Sequence, residues 1–340
     1  MTGKQRFQSI LRRQSSRSGF WHGQAHGDSI AALNAYFGTE NEYELGKQLG
    51  DDTYWAPAES FGFYRHPEGR PVFDVLGGKA RVSLNQDGVF ADATLADVES
   101  HPWPDPQYLD FSDAIAAIDH ANADGLAVMS GCWSPFFHLV CDYFGMENCF
   151  VAMHESPEVV EAVTNQVVDF YLEANKRLFD QAADRIDAFF FGNDFGSQLD
   201  CLISPECFDC FVLPSFRRLT DQAKSYGLPV ILHSCGSIHR VIGRLIDAGV
   251  DILHPIQARA AGMDAETLNR EFGKDILFMG GLDTQELMPF GTPRQVRDEV
   301  YRLRELFGPN FILSPSHECI LPVVPPANVE AMARAATEQI

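Results

Sequence analysis

A histidine and a cysteine end an apolar run in the segment PVILHSCGSIHR, where they occupy positions 233 and 235. In an extended chain, side chains two residues apart lie on the same side, so His233 and Cys235 could bind one ion together. Imidazole and thiolate are ligands that zinc prefers, and a catalytic zinc has three protein ligands and one open position. A lone His-x-Cys pair is a weak signal, because buried thiols and core histidines are common. The hypothesis therefore requires a third ligand.

Cys319 is the candidate for that third ligand. It ends the apolar run NFILSPSHEC and, like Cys235, follows a stretch typical of a buried strand. The chain has eight cysteines but no apolar core of a secretory signal, so its thiols are expected to be reduced. The pattern predicts about one zinc per chain, held by His233, Cys235 and Cys319.

These ligands can meet only if the fold brings the strand ends together. From about residue 120 the chain alternates short apolar runs with helical patterns, which is typical of parallel strands covered by helices on both faces. Strands are predicted at 125–131, 187–194, 228–236, 250–257, 275–283 and 310–319, and helices at 238–248, 264–272, 293–307 and 326–338.

Two more apolar runs, at 18–23 and 52–58, complete a set of eight strands. Eight parallel strands predict an α/β fold of the (β/α)8 barrel type, in which the carboxyl ends of all strands meet on one face. A doubly wound sheet is the alternative, but no GxGxxG follows an early strand and no P-loop occurs. We expect residues 1–340 to form a single barrel domain with a hairpin inserted around residues 70–95.

Further polar residues follow the predicted strands. Asp194 is a catalytic candidate, as a fourth ligand or as a partner that orients a ligand. His317 is another catalytic candidate, because it could act on an oxygen atom that leaves the substrate, unless it only caps a turn. Glu318 is expected to point away from Cys319, because neighbours in an extended chain alternate. The expected substrate contacts are His22, Trp133, His254, Gln257 and Asp283, although Trp133 could serve packing and Asp283 could brace its loop.

Charge and composition exclude some functions. The net charge of −21 argues against nucleic acid as a partner, because binding phosphates requires a basic surface. No run of about 18 apolar residues occurs, so no membrane span is expected. The basic, Ser-rich N-terminus also lacks the apolar core of a signal peptide, and a cytoplasmic location is expected.

Several segments resemble the uroporphyrinogen decarboxylase superfamily, which includes zinc-dependent, cobalamin-linked methyltransferases. They are SPFFHLVCDYFGMEN, FFFGNDFGSQLDCLISPECFDCFVLP, ILHSCGSI, HPIQARAAGMDAETLNREFG, FMGGLDTQELMPFGTPRQV and ILSPSHECILPVVPPANV. The resemblance is dense over 120–340 and loose before it, and it implies a (β/α)8 barrel. In the methyltransferase branch a His-x-Cys pair and a late cysteine bind zinc, and these match His233, Cys235 and Cys319.

The decarboxylase branch has an N-terminal R-Q-A-G-R motif that holds the substrate's carboxylates. This chain has FWHGQAHGDS there and no arginine between Gly19 and Tyr64. The resemblance therefore implies a methyltransferase acting on a methyl ether or a thiol. No D-x-H-x-x-G motif occurs, so the cobalamin is expected on a partner corrinoid protein. The alternatives are a cofactor-free decarboxylase of a carboxylated substrate and a non-catalytic barrel that binds a metal or a ligand.

Overall fold

A computed structural model describes residues 1–83 and 85–338 of the chain. Eight of its strands form one sheet in which all neighbours pair in parallel, and two short strands pair separately. In chain order the strands are β1 (Gly19–Phe20), β2 (Gln24–Ala25), β3 (Thr53–Pro57), β4 (Ala127–Gly131), β5 (Ala188–Gly192), β6 (Val230–His233), β7 (Ile252–His254), β8 (Leu277–Leu282), β9 (Ile312–Pro315) and β10 (Cys319–Ile320).

The large sheet has the order β1-β9-β8-β7-β6-β5-β4-β3 and closes on itself through one residue. The Asp52 backbone N–H donates to the Phe20 carbonyl at 2.9 Å, and its side-chain Oδ2 accepts from the Phe20 N–H at 3.0 Å. Asp52 thereby bridges the first and third strands. The sheet is a nearly closed parallel barrel with helices between its strands, which confirms the predicted (β/α)8 fold.

Helices cover the outside of the barrel, and those predicted in the last third are present. The helices are α1 (Gly3–Leu11), α2 (Ile30–Phe37), α3 (Glu42–Leu49), α4 (Leu95–Ser100), α5 (Ser112–Ala123), α6 (Phe136–Phe144), α7 (Met146–Glu155), α8 (Pro157–Ala182), α9 (Pro205–Cys207), α10 (Leu213–Ser225), α11 (Ile242–Asp247), α12 (Ala265–Phe272), α13 (Leu287–Phe290), α14 (Pro293–Phe307) and α15 (Pro326–Thr337). Among the described residues, none of these helices has the length and apolarity needed to cross a membrane.

Successive side chains along each strand point alternately into two apolar cores. On β5, Phe190 points into the barrel, while Phe189 and Phe191 stack on each other at 4.8 Å and face the helices. The barrel interior is filled by Phe7, Ile10, Trp21, Ala127, Met129, Ala188, Phe190, Ile231, Ile252, Leu277, Met279 and Ile312. Because apolar side chains fill the barrel itself, polar chemistry is expected at the carboxyl ends of the strands and in the loops that follow them.

The insertion around residues 70–95 differs from the predicted hairpin. Residues 70–83 and 85–94 form turns and irregular chain without a β-strand, and Leu84 of the predicted hairpin lies outside the described residues. Between the described parts of the two arms, one backbone hydrogen bond is present, from the Val89 N–H to the Val75 carbonyl at 3.0 Å. The apolar side chains pack on helices instead of across a ladder: the Phe73 ring lies 5.3 Å from that of Phe170 in α8. The insertion is thus held by packing of its apolar side chains against the outer helices of the barrel, and not by pairing of two strands.

Candidate functional site

His233 lies at the end of β6 with its side chain 4% exposed, next to two potential ligands. Its Nε2 is 3.4 Å from the Cys235 Sγ and 3.3 Å from the Asp194 Oδ1. The Cys235 N–H donates to the same Asp194 oxygen at 2.7 Å. A Cβ at Gly236 would lie 2.2 Å from the Gly196 carbonyl oxygen, so glycine is required for this close approach of the two loops. One ligand atom from each of Asp194, His233 and Cys235 lies within 4.8 Å of the others.

A second group of potential ligands shares the same thiol. One ligand atom from each of Cys235, His317 and Glu318 also lies within 4.8 Å of the others. The Glu318 Oε2 is 3.5 Å from the His233 Nδ1 and 3.4 Å from the His317 Nδ1. The loops after β5, β6 and β9 therefore converge on Cys235. We call Asp194, His233, Cys235, His317 and Glu318 the mouth cluster.

Among the described residues, Cys319 belongs to neither of these ligand groups. It begins β10, which pairs with β2 at the mouth, and the Gln24 N–H donates to the Glu318 carbonyl at 2.6 Å. Glu318 and Cys319 point in different directions, as expected for neighbours in an extended chain. Glu318 is the one that lies near His233, whereas Cys319 lines an adjoining cavity with Gln257 and His317. Burial, with smaller contributions from Glu318 and Glu42, raises the pKa of Cys319 to about 11. Its role as a ligand stays a prediction.

The mouth cluster favours positive charge at His233. Burial lowers the pKa of this imidazole, but the charges of Glu318 and Cys235 and the hydrogen bond to Asp194 more than offset that effect and raise the pKa well above its usual value. Burial would raise the pKa of Asp194, yet the hydrogen bond and charge of His233 lower it. A cation held among these groups would meet the same favourable surroundings.

His254, the last residue of β7, contacts His233 directly. The two Nδ1 atoms lie 3.1 Å apart, and the His254 side chain is fully buried. Burial, together with the charges of His233 and His317, lowers the pKa of His254 well below its usual value, so this ring is neutral. A neutral imidazole that shares a proton with His233 through Nδ1 leaves the His233 Nε2 free toward Cys235 and Asp194. His254 therefore orients His233.

The other predicted mouth residues have mainly structural contacts. The Trp133 ring lies 5.2 Å from the His233 ring and 5.0 Å from that of Trp55, and forms an aromatic wall. The Gln257 Oε1 accepts from the Gly236 N–H. Asp283 accepts from the Gln285 N–H at 2.8 Å, which braces its own loop.

His22 lies apart from both ligand groups and has a partner that sequence reasoning missed. Its backbone N–H donates to the Asp51 Oδ1 at 2.8 Å, and its Nδ1 is 2.6 Å from the Asp51 Oδ2. The adjacent acids Asp51 and Asp52 directly before β3 were the available signal. Glu318 was also passed over, because its direction depends on the register of β10, a strand too short for the sequence to predict.

An eight-stranded parallel barrel with polar groups at the carboxyl ends of its strands is the arrangement in which barrel enzymes place their active sites. A profile of the family described as uroporphyrinogen decarboxylase (URO-D) matches residues 73–339. The chain belongs to the URO-D family.

Two proteins from Methanosarcina mazei are similar to this chain. A curated methylated-thiol–coenzyme M methyltransferase is 29% identical over 240 residues, which cover 67% of this chain and 61% of that protein. The matched part is therefore less than two thirds of the relative's length. A solved structure described as a methyltransferase superposes with a TM-score of 0.64, covering 99% of this chain and 98% of the other. At 16% identity this second similarity shows the fold alone.

Proposed function

We propose that this protein is a zinc-dependent methyltransferase that moves a methyl group between a small methyl ether or thiol and a corrinoid on a partner protein. The observation that carries the proposal is the convergence of three loops on the Cys235 thiol at the barrel mouth. The name of the M. mazei relative, which describes methyl transfer between a methylated thiol and coenzyme M, supports the same reaction class. We also propose that the whole chain is one barrel domain.

The donor set fits zinc. Imidazole, thiolate and carboxylate are all zinc ligands, and the mouth cluster offers each of them. We assign His233 and Cys235 as ligands with Cys319 as the third, and Asp194 or Glu318 as a candidate for the fourth position. Bound zinc would supply Lewis acidity toward an ether oxygen, or keep a thiol as its nucleophilic thiolate.

The protein's own residues would orient the ligands and handle the proton. His254 fixes the ring of His233 through the 3.1 Å contact between their Nδ1 atoms. Trp133, whose ring lies 5.2 Å from that of His233, would shield that side of the site from water. His317, whose side chain is 44% exposed at the opening, would give a proton to the leaving oxygen or sulfur. Gln257 and Asp283 would shape the pocket for the substrate through the loops that they hold.

Charge argues against the decarboxylase alternative. A substrate with many carboxylates would enter a mouth that carries Asp194 and Glu318. Arg259, in the loop after β7, is engaged by Glu286 at 2.9 Å and lies 3.6 Å from Asp283. The charge of Arg259 is thus already paired, and the negative side chains at the mouth would repel a substrate with many carboxylates.

Metal analysis combined with a methyl-transfer assay tests the proposal. Wild-type protein purified in the presence of zinc should contain about one zinc per chain and should exchange methyl groups with free cobalamin. Cys235→Ser should lose both properties and keep its melting temperature, and the exposed Cys210→Ser serves as the matched control. A wild-type protein that binds no zinc contradicts the proposal. Zinc without methyl transfer to or from any ether or thiol supports the non-catalytic alternative.

A further inference from the structure

A second cavity, of about 240 Å³, lies between the start of the barrel and α3. Its wall includes His22, Asp51, Thr53 and Trp55, and we call it the His22 cavity. None of the five side chains of the mouth cluster lines it. The His22 cavity is therefore lined by side chains other than the proposed zinc ligands.

Three side chains of this wall carry a buried polar atom that has no hydrogen-bond partner among the described residues. They are the His22 Nε2, the Thr53 Oγ1 and the Trp55 Nε1. Buried polar groups are normally hydrogen-bonded, so three unsatisfied atoms around one cavity indicate a missing partner. The cavity is many times larger than the roughly 10–15 Å³ that one water needs, and it can hold a small organic molecule.

All three atoms can donate a hydrogen bond. Both carboxylate oxygens of Asp51 contact His22, one at its backbone N–H and one at its Nδ1. Burial lowers the pKa of His22, but the charge and hydrogen bond of Asp51 more than offset this and raise it. When the ring is protonated, it carries a second N–H at Nε2. The indole N–H of Trp55 can only donate, and the hydroxyl of Thr53 can donate.

The acidic side chains of the wall are already engaged. Asp51 is neutralised by His22, and Glu42 accepts from the Ala25 N–H. At the rim, the Lys47 ammonium pairs with Asp124 at 2.6 Å. The groups left to bind a ligand are thus mainly hydrogen-bond donors. A ligand of this cavity should therefore carry acceptor oxygens. The rest of the wall includes Trp21 and Phe61, which suit an apolar body.

We propose that the His22 cavity binds a small organic acid through its carboxylate. The carboxylate oxygens accept from the His22 Nε2, the Thr53 Oγ1 and the Trp55 Nε1, and the organic group packs against Trp21 and Phe61. This assigns the cavity a ligand class that differs from the methyl substrate at the mouth cluster.

Calorimetric titration of the full-length protein with benzoate and with acetate tests this inference. Benzoate should bind saturably with a Kd of about 1 mM or lower, and more tightly than acetate because of the aromatic wall. Protein treated with a chelator should bind equally well, since no mouth-cluster residue lines the cavity. Thr53→Val and Trp55→Phe should each weaken benzoate binding by about tenfold, and His22→Gln should weaken it more.

Trp103→Phe is the matched control, because the Trp103 Nε1 donates to the Val98 carbonyl at 2.9 Å and Trp103 does not line the cavity. It should bind benzoate like the wild type. Melting temperatures identify any variant that fails to fold, and Thr53→Val, which keeps the side chain's size, provides the decisive measurement. Absence of saturable binding, or an unchanged Kd in Thr53→Val and Trp55→Phe, would show that the cavity holds only water. Binding that disappears with the metal would place the carboxylate at the mouth cluster and overturn the inference.

Discussion

Two buried histidines at the carboxyl ends of barrel strands, His233 and His22, have opposite surroundings. His233 is approached by a thiol, two carboxylates and a neutral imidazole from different loops. His22 has one carboxylate, that of Asp51, and its free nitrogen shares a cavity with an indole and a hydroxyl. The first set of neighbours suits a metal ion, and the second suits an organic acceptor. The residue type alone does not specify the ligand; the neighbouring side chains do.

The two sites share an aromatic wall. The Phe190 ring lies 5.2 Å from that of Trp55, which lines the His22 cavity, and 5.2 Å from that of His254, which contacts His233. Trp21 contacts both Phe190 and His254, at 6.1 Å and 5.5 Å between ring centroids. Variants on either side of this wall should therefore affect one site without the other, whereas variants in the wall should affect both.

The largest effect is expected from removal of a thiol at the mouth. Cys235→Ser and Cys319→Ser should each weaken zinc binding by more than the roughly 10–100-fold that loss of an outer partner costs, because each removes a proposed ligand itself. Competition with a chromogenic chelator measures the affinity, and benzoate binding should stay unchanged. If Cys319→Ser keeps the wild-type zinc affinity, the ligand set is Cys235 and His233 with carboxylates, and the assignment of Cys319 is wrong.

The shared wall should account for the next largest effect. Phe190 is fully buried in the barrel interior, so Phe190→Ala should lower the free energy of unfolding by about 3–5 kcal/mol and weaken both sites. Phe290→Ala is the matched control, because Phe290 is 75% exposed and should change stability by less than about 0.5 kcal/mol. Denaturant titrations compare the variants. A loss below about 1 kcal/mol for Phe190→Ala would show that the surrounding side chains move into the space left by the ring.

The sequence was sufficient to predict the barrel and part of the group of side chains at its mouth. Apolar runs and their spacing predicted all eight barrel strands, because a doubly covered parallel strand must be apolar throughout. The pairs formed by neighbours in sequence, such as His233 and Cys235, also followed from strand geometry. The direction of Glu318 and the pairing of His22 with Asp51 did not, because both depend on loop register and long-range packing. The insertion was mispredicted since its alternating pattern packs on helices.

Asp52, beside the partner of His22, provides a test of the His22 side that depends on pH. Burial, opposed by Arg6 and Arg17, raises the pKa of Asp52 to about 6. The unfolded chain ionises this group near its usual value of about 3.9, so the contribution of Asp52 to stability is present below about pH 4 and is lost as the pH rises to about 6. Relative to Asp52→Asn, the wild type should lose up to about 3 kcal/mol between these pH values. Urea unfolding at pH 4 and pH 7 measures this difference, and a constant difference contradicts the raised pKa.

The smallest effect concerns the space around the His22–Asp51 pair. A Cβ at Gly46 in α3 would lie 2.7 Å from the Asp51 Oδ2 and 3.3 Å from the His22 Cε1. That oxygen cannot move aside freely, because it is held at 2.6 Å from the His22 Nδ1. Gly243 in α11 is the matched control, since no atom of the residues that the structure describes lies within 4 Å of a Cβ built there.

Gly243→Ala should raise the free energy of unfolding by about 0.5–1 kcal/mol, because alanine is the better helix former. Gly46→Ala gains the same helical preference but displaces Asp51 from His22, and loss of a hydrogen bond to a charged group costs about 1.5–3 kcal/mol. The net loss for Gly46→Ala should therefore be about 1–2 kcal/mol, and benzoate binding should weaken while zinc content stays at the wild-type value. Equal stabilisation by both alanines would mean that Asp51 is not fixed by His22, and the two histidine sites would then differ less than their geometry indicates.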